Sequence, residues 1–250
     1  MVHLLSRLGG SLAKYLSQER HAHQASLPTP AERLLVSLMP ADILLVEGHS
    51  RISTAIKYLT QSTWSHSALY VGEHGRNRLS HSGHCFVEAD LVQGVRSIGI
   101  DAFAGLHTRI CRAVGLSEVE RCSVADFVIA RIGHRYDLKN VVDLARYLLP
   151  TPPVPTQLRR GMIELGSGDP TRAICSTLIA QAFESIRYPI LPAIGYRSAA
   201  TVQCPDCIDQ VFHIRHHSLY CPRDFDVSPY FQIVKPTIEN DFDFRELTWA

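Results

Sequence analysis

Two residues far apart in the chain have the types and settings needed for thiol chemistry, Cys175 and His66. Cys175 opens an apolar-striped segment, residues 173–186 (AICSTLIAQAFESI), in which Ile174, Leu178, Ile179, Ala182, Phe183 and Ile186 fall on one helical face. Asp169, Pro170 and Thr171 just upstream offer capping chemistry and a proline suited to a first turn. A thiol at that end of a helix feels the positive end of the peptide dipoles, which favours thiolate. His66 lies in a short strand-like run, residues 64–72 (WSHSALYVG). A cysteine nucleophile and its histidine base must meet in space, not in sequence.

Period-two alternation puts His66, Ala68 and Tyr70 on one strand face, and Phe86 and Glu88 on one face of a second strand, residues 85–89 (CFVEA). An antiparallel hairpin pairing His66 with Glu88, Ala68 with Phe86 and Tyr70 with His84 would set opposed Cβ atoms about 5 Å apart, within reach of a His–carboxylate hydrogen bond. Such a bond fixes the imidazole tautomer and stabilises the imidazolium. A slip of one residue would turn Glu88 to the wrong face. Asp90, Asn140 and Asp143 are the rival residues for that role.

The second chemically suggestive cluster begins at Cys204-Pro-Asp-Cys207 and continues with His213, His216, His217 and Cys221. A C-x-x-C knuckle followed by further Cys and His has zinc-ligand spacing. Cys204, Cys207, Cys221 and one histidine, His216 by preference, would form a structural zinc loop; an insertion with unliganded Cys and His is the plainer reading. A redox role for the C-x-x-C lacks the thioredoxin-like strand–helix context.

Three segments in this order resemble a known family: residues 41–46 (ADILLV), the His66 run with residues 86–90 (FVEAD), and residues 173–183 (AICSTLIAQAF). They resemble the circularly permuted NlpC/P60 cysteine hydrolases, the YiiX/YebB-like branch of the papain-like superfamily. In that branch the His strand precedes the Cys helix, as here. The resemblance covers roughly residues 40–190 and does not extend to the Cys/His cluster. It implies Cys175 as nucleophile, His66 as base and a third polar residue orienting the His. It also implies an α+β fold, a small antiparallel sheet flanked by helices.

The rest of the chain is consistent with that architecture. Residues 42–46 read as a buried strand, and Ser50 as the cap of a helix reaching about Thr60. Further strands are expected at 95–100, 108–114 and 231–234. A helix over 117–132 has Ser117 and Glu120 spaced as a capping box and Gly133 as its stop. A second helical stretch spans 136–149, ahead of a proline-rich linker at 151–155. Residues 31–38 form a short helix leading into the first strand. Residues 1–39 are read as an N-terminal helical extension and 40–250 as the catalytic domain, with 200–222 as a Cys/His-rich insertion.

Composition bounds the partners. With 250 residues and 46% hydrophobic content, the chain supports a sizeable core. A formal net charge of +1 gives no reason to invoke nucleic acid. No apolar run reaches the roughly eighteen residues a transmembrane helix needs. Leu4, Leu5, Leu8, Leu12, Tyr15 and Leu16 with Arg7, Lys14 and Arg20 could form a membrane-surface helix within residues 1–20, or a helix packed on the domain. Seven cysteines, an odd number, and no clear export signal point to reduced thiols in the cytoplasm. The expected activity is a thiol hydrolase or acyltransferase on a peptide, other amide or lipid ester, with no cofactor required. A non-catalytic papain-like binding module and a protein organised around structural zinc are the alternatives.

Overall fold

The computed structural model describes residues 28–75, 78–79, 81–134, 174–198, 208–239, 242–243, 245 and 248. The expected features at 1–20, 136–149, 151–155 and 169–171 lie outside the described residues, as do Cys204, Cys207, Asn140 and Asp143.

The strands are β1 (Ile43–Glu47), β2 (His66–Tyr70), β3 (His84–Asp90), β4 (Gly94–Gly99), β5 (His107–Ala113), β6 (Ala193–Ser198), β7 (Ile208–His213) and β8 (Phe231–Val234). Six of them form one antiparallel sheet in the order β4-β3-β2-β1-β5-β8, and β6 and β7 form a separate hairpin. The helices are α1 (Ala31–Ser37), α2 (Arg51–Thr60), α3 (Glu118–Ile129), α4 (Ile174–Ser185), α5 (Pro222–Asp226) and α6 (Pro236–Glu239).

The central strand explains the layering. In β1, Ile43, Leu44, Leu45 and Val46 are all buried, so both faces of the sheet must be covered. Alternate residues divide between two cores. Ile43, Leu45, Leu69 and Val87 pack with Val124 and Val128 of α3 and with Leu178, Ile179, Ala182 and Phe183 of α4. Leu44, Val46, Ala68, Phe86 and Ile110 face the other way, onto Leu34 of α1, Leu38 and Phe103. Each fully buried Leu, Ile or Phe contributes roughly 1.5–3 kcal/mol, so the stripe read on α4 is what clamps that helix to the sheet.

Local signals set the helix starts. The Ser50 side chain accepts from the Ser53 backbone N–H at the start of α2. Ser117 and Glu120 complete the expected capping box of α3. That helix ends at Ile129, short of Gly133; the chain beyond it instead pairs with β4, Gly133 donating to the Val95 carbonyl and Val95 to that of His134. Between β1 and α2, a Cβ at Gly48 would collide with Ser53 Oγ, so a larger residue there would have to displace that hydroxyl.

Candidate active site

β2 and β3 pair in a register different from the one expected. Ala68 lies opposite Glu88 and Tyr70 opposite Phe86, a slip of two residues from the His66–Glu88 alignment. A two-residue slip keeps every side chain on its face. Glu88 therefore reaches His66 diagonally, and diagonal neighbours remain within range of long side chains. The contact is short, His66 Nε2 to Glu88 Oε2 at 2.6 Å.

Glu88 is buried, 4% exposed, with both of its oxygens occupied. Oε1 receives Arg96 Nε at 2.8 Å, and Arg96 Nη2 lies 2.7 Å from the same oxygen. Burial alone would raise the pKa of this carboxyl. The His66 bond and the charges of His66 and Arg96 outweigh it and hold Glu88 below its ordinary 4.5. Of the rivals, Asp90 is spent on its own turn, accepting from the backbone N–H groups of Val92 and Gln93.

Cys175 sits in the first turn of α4, buried at 5% exposure. His66 opens β2, near enough to the thiol for each group to shift the protonation of the other. Ser67, on the opposite strand face from His66, looks toward α4. Its Oγ lies 3.4 Å from Ser176 Oγ, the hydroxyl that follows Cys175 in the chain. Burial is the largest influence on the Cys175 thiol and pushes it up; the charge and hydrogen bond of His66 and the bonds from Ser67 overcome it, so its pKa falls below the ordinary value. Burial likewise opposes charge on His66, yet the facing sulfur and Glu88 carry its pKa well above 6.5. Both shifts favour the same species, a thiolate beside an imidazolium, and the two groups titrate as one coupled pair.

The structure thus brings together Cys175, His66 and Glu88. Sequence reasoning missed Arg96, Ser67 and Ser176. Arg96 was findable: residues 91–93 are a short turn, and the β3–β4 hairpin that it closes puts Arg96 directly opposite Glu88.

The expected zinc set lies only partly within the described residues. Cys204 and Cys207 lie outside them. Cys221 precedes α5, where burial and the neighbouring Asp224 push its thiol up to about 12. His216 Nδ1 is engaged with Ser218. Among the described residues, no group of three or more His, Cys, Asp or Glu is placed to hold a metal ion. No helix among them is long and apolar enough to cross a membrane.

Residues 37–147 match the family described as permuted papain-like amidase enzyme, YaeF/YiiX, C92 family. The fold is α+β and permuted papain-like: the sheet bearing the histidine comes first and the cysteine helix later. The match includes His66, Glu88 and Arg96 and ends before Cys175. The family is named for amidase activity, which supports a hydrolase here. No curated protein matches the chain.

Proposed function

We propose that the protein is a cysteine hydrolase that cleaves an amide through an acyl-enzyme on Cys175. The observation that carries this reading is the 2.6 Å His66–Glu88 contact together with the buried Cys175 thiol in the first turn of α4, whose deprotonation His66 favours. His66 Nε2 is committed to Glu88, which leaves Nδ1 as the nitrogen that takes the thiol proton. The thiolate then attacks the carbonyl carbon. Charge develops on the carbonyl oxygen, where backbone N–H groups at the start of α4 are suited to receive it. His66 returns the proton to the leaving nitrogen as the C–N bond breaks, and water cleaves the thioester with His66 acting again as base. An amine or alcohol in place of water would make the same enzyme an acyltransferase. Kinship with the wider NlpC/P60 hydrolases, read from the order of the motifs, is part of this proposal.

The test is a burst experiment with an activated ester such as p-nitrophenyl acetate, followed by intact-mass analysis and peptide mapping. The reading expects one acyl group per chain, located on Cys175 and absent in Cys175→Ser. Acylation spread over several cysteines, or unchanged in Cys175→Ser, would contradict it.

A further inference from the structure

We infer that Arg96 is a positioning residue for the His66–Cys175 pair, acting entirely through Glu88. The inference rests on the proposed thiol chemistry and adds a fourth member to it.

Strand register brings the two residues together. Glu88 and Arg96 are directly opposed in the β3–β4 ladder. The guanidinium places both Nε and Nη2 on Oε1, and His66 takes Oε2. Two donors on one oxygen and a third on the other leave the carboxylate a single orientation. A free carboxyl rotor could turn either oxygen, or neither, to the imidazole. The planar Arg fork suits this task; a Lys ammonium would supply the charge at one point without fixing the plane.

Arg96 is itself held from behind. Its Nη2 lies 3.8 Å from Asp90 Oδ2, and Asp90 is fixed by the turn N–H groups it accepts. The neighbouring Val95 is tied on both its N–H and its carbonyl to the chain after α3. Among the described residues β4 is the last strand of the sheet, and this tether keeps it from carrying Arg96 away from Glu88. The Arg96 side chain is 35% exposed, whereas that of Glu88 is 5% exposed. His66 and Arg96 together keep the buried carboxylate ionised; the Arg96 share comes from the solvent side, and Arg96 need not approach the sulfur to influence it.

The test is a double-mutant cycle read at Cys175. Alkylation of Cys175 by iodoacetamide at about pH 6 is quantified by peptide mapping in wild type, Arg96→Gln, Glu88→Gln and the double variant. Thermal melting of each confirms folding. Arg96→Gln is expected to slow Cys175 labelling about tenfold in the wild-type background and less than about twofold in the Glu88→Gln background, a coupling typical of residues in one charge network. Arg96→Lys should fall between wild type and Arg96→Gln. A merely structural Arg96 would lower the melting temperature without this dependence on Glu88. Equal slowing in both backgrounds, or no slowing in the first, overturns the inference while leaving the thiol chemistry standing. A wild-type Cys175 that labels no faster than the other cysteines instead overturns the proposed function, and the inference with it.

Discussion

Replacing Glu88 by Gln removes one charge at nearly constant volume, and the structure says what that should cost. Glu88 receives His66 at 2.6 Å and the Arg96 fork at 2.8 and 2.7 Å. A glutamine offers one carbonyl oxygen to donors arriving at two, so its amide N–H must face either Arg96 or the protonated His66. A hydrogen bond to a charged group is worth about 1.5–3 kcal/mol. Arg96 can be rehydrated, so the stability loss at neutral pH should sit near 2 kcal/mol, toward the low end of that range. The effect on turnover should be larger. Loss of an orienting carboxylate costs on the order of 10⁴ in a serine-protease triad, but a preformed thiolate–imidazolium pair depends on it less, and a drop of roughly ten- to a thousand-fold is expected. The pH dependence has a definite sign. Glu88 titrates below its ordinary 4.5 in the fold, so its stabilisation is present above that value and is lost as pH falls through the folded pKa. Urea unfolding at about pH 7 and about pH 3 should therefore show the wild-type advantage over Glu88→Gln shrinking on acidification. A gap unchanged across that range, or a folded Glu88→Gln enzyme with full activity, would refute the reasoning.

Two further substitutions separate chemistry from architecture. His66→Ala should slow Cys175 alkylation at about pH 6 by about tenfold or more while leaving the protein folded, because the thiolate loses its counter-charge; unchanged kinetics in the folded variant would remove His66 from the mechanism. Asp42→Ala should do the reverse. Asp42 is 1% exposed and meets Arg112 at 2.6 Å, so its loss strands a largely buried cation and should cost about 3–5 kcal/mol in urea unfolding, with Cys175 labelling per folded molecule unchanged.

Much of the site-bearing framework can be read from local chemistry. The Ser50 cap, the Ser117–Glu120 box and the apolar stripe of α4 are short-range patterns, and each forms the element it signals. The last strand among the described residues is Phe231–Val234, in agreement with the expectation for 231–234. Partnership between distant elements is harder to read. The face shared by His66 and Glu88 follows from alternation, but their alignment depends on how the intervening connection closes, and it closes two residues away from the simplest hairpin. Arg96 takes its role only once β3 and β4 are paired, a pairing that the short turn at 91–93 signals. The strand β7, inside the segment read as a Cys/His-rich insertion, escaped notice because five of its six residues are exposed, so no buried face imposes a pattern on its sequence.

The central claim is that Cys175 carries a thiolate at a pH where ordinary cysteines are protonated. Timed iodoacetamide labelling across about pH 5 to 9, with peptide mapping of all seven cysteines, measures this directly. Cys111, wholly buried with its thiol pushed up by that burial, and Cys221, pushed up to about 12, serve as internal references. The account predicts that Cys175 dominates labelling near pH 6, with Cys111 and Cys221 rising only toward the alkaline end. A Cys175 that labels no faster than Cys111 or Cys122 near pH 6 would contradict it.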